Sequence, residues 1–524
     1  MSGSLLASQT PPITISFNEI PYNLQVPGTF VEIAPNYDQS GLVAYPAKVC
    51  LLCPGTSAAT ITPLVPVQVF TPQQGALLLG AGGIGARMVA AFIRANPWTS
   101  LYVLGLPPAG GSAAATWTVL TTIAATLTGV AGPLNLYIGG KQYSYTVTPG
   151  VDTSATIATG LAAAINSDPF CNVTASAGSV SITLTSRDRC ALANQLDVRW
   201  NLNPGDQIPG GSTSGTPNLT TTITNLATGA GVPSVANAFA AIPTTWFTHF
   251  VCPFNDSTSL SACSTEMLRR FNSMSGGLDA RCFSYVSLAN LTLLLAVTSG
   301  MNSQFISVFG MQNEPTAPWE MAALIGGVAV FNLVNDPARQ LRNLVLPGAV
   351  APQTADILTE TERQQMLTGG MATLIAGSDG SVRIERAVST YQYAPGNIPD
   401  TSWMDIMTAE TMSRIRYDWI SYVGLIYPRN KMSADGTLGA EYDPAVVTPR
   451  RMSSTWGARC NLYEKLGWIQ NSQASVAASV FMLDATNPNR MDARQQIQIM
   501  NNLMILAGQM QFALLADQST TAQT

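Results

Sequence analysis

Between Lys48 and Leu346, short apolar runs alternate with helical patterns, and this alternation restricts the fold more than any other feature of the chain. The runs are Val49 to Leu52, Leu101 to Leu104, Phe247 to Cys252, Cys282 to Val286 and Phe305 to Val308, all of strand length. Helical patterns stand between and after them at Ile84 to Ala95, Leu260 to Met274 and Trp319 to Val334, the last opening at Pro318 and stopping at Asp336-Pro337. Strands separated by helices predict βαβ units and a mainly parallel central sheet. Residues 113–225 break the pattern with a block rich in Thr, Ser and Ala. Within it, Leu134, Leu136 and Ile138 lead into Gly139-Gly140 and out through Tyr143, Tyr145 and Val147, a hairpin whose two glycines supply positive φ. A helix near Ile157 to Ile165 and strands around Asn172 to Ala175, Ser179 to Thr185 and Gln195 to Trp200 complete a small inserted α+β unit. The Pro209 to Pro217 linker returns the chain to the main sheet.

The chain has 524 residues, so several domains are expected rather than one. Only 10% of its residues are charged, against about 25% in ordinary soluble domains. A subunit packed against many copies of itself tolerates that better than a freely diffusing enzyme does. A net charge of −5 with no basic run argues against wrapping nucleic acid. The first residues lack both a cationic start and a long apolar core, so no signal peptide is expected and the chain is expected to stay cytosolic. The longest apolar run, Leu291 to Val297, falls short of the ~20 residues that a membrane helix needs. Eight scattered cysteines are then expected to be reduced and mostly buried.

At the start, Ile13, Ile15 and Phe17 alternate with Thr14, Ser16 and Asn18, which predicts a half-buried strand isolated by Pro11-Pro12 and Pro21. At the other end, Met510, Phe512 and Leu514 alternate in the same way after a helical pattern of Ile497, Met500, Leu503, Met504 and Ala507. A lone strand must be paired, either within its own subunit or by another chain's sheet.

Several constellations invite a chemical reading. Gly80-Ala-Gly82-Gly-Ile-Gly85 is a literal G-x-G-x-x-G, read here as preceded by a short strand, Ala76 to Leu79, and followed by a helix. A dinucleotide site also needs an acidic residue about 20 positions on, and none stands between Arg87 and Ala115, so a glycine-rich entry to a packed helix is the preferred reading. Cys50-Leu-Leu-Cys53 has no second ligand pair and lies on a buried strand pattern. His249 is the only histidine, which leaves little for acid–base or metal chemistry. Glu360 and Glu362 could be cast as paired carboxylates, but Thr359 to Glu362 is also a capping box. No catalytic residue, cofactor or metal is therefore expected.

Late in the chain, Arg383-Ile-Glu-Arg-Ala-Val-Ser-Thr-Tyr-Gln392 reads as a strand whose charges form either a ladder at a subunit face or solvated pairs. Asp400, Ser402 and Asp405 have capping-box spacing before a helix that carries Ile415, Trp419 and Tyr422. Tyr427-Pro-Arg-Asn-Lys431, Asp435-Gly436, Val447-Thr-Pro449 and Glu464 to Trp468 follow. Together with Phe17 to Pro21 and Pro27 to Glu32, these stretches resemble the contractile-tail sheath proteins of Mu-like phages and related tail-derived particles. Ser389 stands where that family more often has Thr, which keeps the hydroxyl.

The resemblance implies a non-enzymatic virion protein assembled in the host cytoplasm. Many copies would stack as a helical cylinder around an inner tube, with baseplate and tail terminator proteins as partners and without nucleic acid or membrane insertion. It implies an N-terminal arm at 1–22 and a C-terminal arm at 509–524 that exchange strands with neighbours through Ile13, Ile15, Phe17, Met510, Phe512 and Leu514. Between the arms it implies a discontinuous α/β domain at 23–112 and 226–369, an outward insert at 113–225 and an α+β sheath core at 370–508. Asn487 to Arg494, read as the opening of the C-terminal helix, would lie toward the tube, with Arg490 and Arg494 as contact candidates. Two other classes stay open, a dinucleotide-dependent oxidoreductase and a different structural virion or fibre protein.

Overall fold

The computed structural model describes residues 25–29, 31, 41–123, 127, 131–209, 219–275 and 277–512. Two compact units emerge. One comprises the described residues before Ala44 with Arg429–Lys465 and Asn471–Ile497; the other comprises Ala44–Pro428, Leu466–Gln470 and the described residues from Gln498.

The second unit is built on an eight-stranded sheet. Its strands lie in the order Val382–Arg386, Ala372–Ala376, Ile306–Gln312, Arg281–Leu288, His249–Val251, Lys48–Pro54, Ser100–Leu106, Pro66–Val69. Neighbours from Ala372–Ala376 through Ser100–Leu106 run parallel, and the strand at each edge is antiparallel. This is the mixed, mainly parallel sheet that the strand–helix alternation predicts, and it runs on past residue 370. The helices Ile84–Ala95 and Pro318–Asn335 pack on each other, and Pro318 at the first helical position needs no amide partner. Fourteen residues of Pro318–Asn335 are buried, so its apolarity marks a core helix. No helix among the described residues is long and apolar enough to cross a membrane.

One sheet edge is covered by further backbone and the other is short. Outside Val382–Arg386, Asn343 donates to the Ile384 carbonyl at 2.8 Å, Ile384 to Leu344 at 3.0 Å and Leu346 to Val382 at 2.9 Å. The other edge strand is four residues long and starts at Pro66, and its Gln68 carbonyl accepts from the Gln74 side chain at 3.4 Å.

The block after residue 113 forms a four-stranded antiparallel sheet, ordered Leu219–Asn225, Thr116–Ile123, Ser181–Ser186, Val173–Ala177. A three-stranded sheet of Lys141–Val147, Gly132–Ile138 and Val198–Trp200 and the helix Ser154–Asn166 complete it. The Gly139-Gly140 turn is present with φ of 57° and 76°, and Ile138 pairs with Lys141 across it.

Several local expectations are overturned. Ala76 to Leu79 is no strand; it ends the helix Pro72–Leu79, which Thr71 caps by accepting from Gln74 N at 3.2 Å. The helix after Asp400 starts later, at Ile406, with Asp405 as its N-cap, while the Ser402 hydroxyl donates to Asp400 at 2.6 Å. No helix covers Ile497 to Ala507. The backbone there is committed to extended pairing, with Gln470 N donating to Gln498 O at 2.8 Å and Met500 N to Trp468 O at 3.1 Å around an Ile469–Ile499 bridge.

Candidate assembly surfaces and the glycine-rich turn

The glycine-rich turn opens the helix Ile84–Ala95, but its amide end is already filled. The Asp188 carboxylate accepts from Ile84 N at 2.7 Å, where a pyrophosphate would have to sit. Gly82, at φ 73°, faces the Cys171 carbonyl so closely that a side chain there would collide with it. At Gly85 a Cβ would stand 2.7 Å from Pro54 O and 2.8 Å from Cys53 Cβ. These glycines permit close helix-to-strand packing and hold no nucleotide cradle, and the element before them is a helix.

The remaining chemical candidates are absorbed by packing. His249 is fully buried, with Nδ1 2.9 Å from Thr248 Oγ1 and its ring stacked on Phe283. Its Nε2 lies 3.6 Å from Glu410 Oε1, and Arg281 donates to the other oxygen at 2.7 Å. Burial pushes the Glu410 carboxyl up, but the charges of His249 and Arg281 more than reverse this and hold it at about 2. The cluster fastens the helix Ile406–Ile426 to the sheet. Cys50 and Cys53 are fully buried free thiols, pushed up by desolvation. Thr359 and Glu362 form the capping box, with Glu362 accepting from Thr359 N at 2.7 Å.

The Arg383 to Gln392 segment is anchored inside its own subunit. Arg383 donates to Asp379 at 2.6 Å, and Glu385 accepts from Arg363 at 3.0 and 3.1 Å. Arg386 grips Asp405 through two 3.0 Å bonds. Of the two expected arrangements, a ladder at a subunit face is not needed to pair these charges. Beyond the strand, Ala387 to Thr390 are buried. The Ser389 hydroxyl donates to Trp403 O at 2.8 Å and accepts from Tyr391 N at 3.2 Å. Thr390 Oγ1 donates to Ser303 O and accepts from Ser303 N, both at 3.1 Å. A hydroxyl at each position ties the strand's exit to the neighbouring loops.

At the C-terminal end, Gln340 donates to Leu503 O at 2.9 Å and Arg342 to Met504 O at 3.1 Å. Past these anchors, Ile505, Leu506, Met510 and Phe512 are exposed, Met510 and Phe512 at 101% and 88%. Four bulky apolar side chains in solvent within eight residues form an uncovered surface. Ile13, Ile15, Phe17 and Leu514 lie outside the described residues.

In the other unit, the stretch expected to open the C-terminal helix is a hairpin of Val480–Leu483 and Met491–Arg494. Asp484 organises its turn by accepting from Thr486 N and Asn487 N, both at 2.7 Å, a local signal that the helical reading missed. Arg490 sits in that turn, 61% exposed and 2.6 Å from Asp492, and Arg494 is exposed on the strand.

Residues 228–390 match the phage tail sheath protein central domain, and they span the heart of the large sheet. Over these residues the chain is similar to the tail sheath proteins. It is 28% identical over 505 residues to the Mu-like prophage FluMu tail sheath protein of Haemophilus influenzae, covering 96% of this chain and all of that protein. Among solved structures, it is similar to the sheath tail protein Lin1278 of Listeria innocua at 12% identity and TM-score 0.46, over 88% of this chain and 93% of that one. It is also similar to the helical sheath of the anti-feeding prophage in its contracted state at 10% identity and TM-score 0.45, over 95% and 100%. The likeness to tail sheath proteins rests on the two sequence matches.

Proposed function

We propose that this structural sheath subunit polymerises as a helical cylinder around an inner tail tube and shortens on a baseplate signal, driving the tube through the host envelope. Baseplate, tube and tail terminator proteins are its partners, and assembly takes place in the host cytoplasm. The arms, residues 1–22 and 509–524, lend strands to neighbouring subunits around the α/β domain, the outward insert and the sheath core at 370–508. The observation that carries this reading is the bare apolar stretch from Ile505 to Phe512, in a chain that matches a tail sheath protein along nearly its whole length. Main-chain bonds in such an arm persist while the segment behind it swings, so a lattice stays connected as subunits reorient. Arg490 and Arg494 are proposed to face the tube.

Negative-stain microscopy of the purified chain at high concentration tests the reading, with striated hollow cylinders of uniform width as the expected result. An Ile15→Pro chain removes one ladder donor and should give monomers or short, irregular stacks. Cylinders of normal length from that variant would remove the arm exchange from the proposal.

A further inference from the structure

The inserted unit is seated on the central sheet through buried polar groups as well as apolar packing. Asp188 is 2% exposed; one carboxyl oxygen caps the helix Ile84–Ala95 at 2.7 Å and the other has no hydrogen-bond partner. Around it, Asn172 donates to Gly82 O at 3.3 Å and Arg187 to Cys171 O at 2.8 Å. Farther along the same seam, Gln195 and Asn255 exchange amide bonds at 2.9 and 2.8 Å. Arg199, paired to Asp197 through two 2.7 Å bonds, donates to Asn313 O at 3.0 Å. The next residue, Glu314, is likewise 2% exposed and accepts from Tyr285 at 3.2 Å and Thr316 N at 3.0 Å.

We propose that the insert is fastened to the central sheet by an ionisation-sensitive joint, in which the buried carboxyl groups of Asp188 and Glu314 are the responsive elements. The joint stands on its geometry, independently of the sheath reading. The groups facing Asp188 are Arg187 and Cys190 on its own loop, Cys53 on the sheet and the Ile84 amide. Those facing Glu314 are Tyr285 on the sheet and Asp197 on the insert. Burial pushes Asp188 up to about 7 against the pull of Ile84 N–H and Arg187, and burial pushes Glu314 up to about 8. A carboxyl raised in the folded state weakens that state once the unfolded chain ionises and the folded one does not. The joint is therefore tightest at acid pH and loosens as pH rises from about 4 toward 8.

Hydrogen–deuterium exchange of the full-length chain at pH 5.5 and 8.5, corrected for intrinsic rates, reads this directly. Opening of the amides at 84–87 and 198–200 should be about tenfold more frequent at pH 8.5. Asp188→Asn should bring the two pH values within about twofold at 84–87, and Glu314→Gln should do the same at 198–200. Asp188→Ser, a shorter cap that cannot ionise, gives the same reading should the asparagine chain fail to fold. Equal protection at both pH values in the unaltered chain, or an undiminished pH dependence in the Asp188 variants, would overturn the joint.

Discussion

Ser389 carries more structural weight than its size suggests, because its one hydroxyl serves two backbone groups at the exit of the Val382–Arg386 strand. Ser389→Ala should cost about 1–2 kcal/mol in urea unfolding, whereas Ser389→Thr should stay within about 0.5 kcal/mol. Glu410 is the harsher test. Replacing it with Gln leaves Arg281 buried beside a neutral partner and should cost about 3 kcal/mol. Since the Glu410 carboxyl is held at about 2 in the folded chain, below the ordinary glutamate value, its contribution is fully present above about pH 4.5 and lost as pH falls toward 2. Thermal unfolding of the unaltered chain and the Gln variant should therefore converge in acid. What the sequence discloses at this scale is the local: the Thr359 capping box and the Gly139-Gly140 turn involve partners a few residues apart. Asp188 is illegible in the sequence because its partner lies 104 positions away.

At the scale of elements, periodicity identifies the helices and strands of the large sheet because their burial pattern follows their own backbone. It fails where another segment decides the backbone. Ile497 to Ala507 carries helical spacing, yet Trp468 to Gln470 draw its start into extended pairing, and such a partner leaves no trace in local spacing. Ala76 to Leu79 is ambiguous for a different reason: four apolar residues before a glycine turn suit a strand or a helix end, and the Thr71-Pro72 start decides for the helix. Gly82→Ala, forced against the Cys171 carbonyl at positive φ, should cost about 2 kcal/mol or more in thermal unfolding. Met510→Asp with Phe512→Asp, both on exposed side chains, should leave the melting temperature within about 2 °C while abolishing long cylinders. Sedimentation and microscopy of the same sample separate the two effects.

For the whole molecule, the low charge bears on how copies meet. With 55 charged side chains in 524 residues and many of the described ones paired inside the subunit, association should draw on apolar contact and backbone pairing. Cylinder yield should then change less than about twofold between 50 and 500 mM NaCl, across which the Debye length shortens from roughly 14 to 4 Å. A steep loss with salt would point to charge-guided contacts instead. The edges of the eight-stranded sheet, one covered and one short, set a condition on such a polymer. A filament of many identical copies multiplies every way in which two of them can stick by mistake, and an open sheet edge is the most promiscuous of these. With one edge walled by residues 343–346 and the other cut short at Pro66, the large sheet offers a passing copy little backbone to pair with, and mispairing is discouraged before any correct contact has to compete with it.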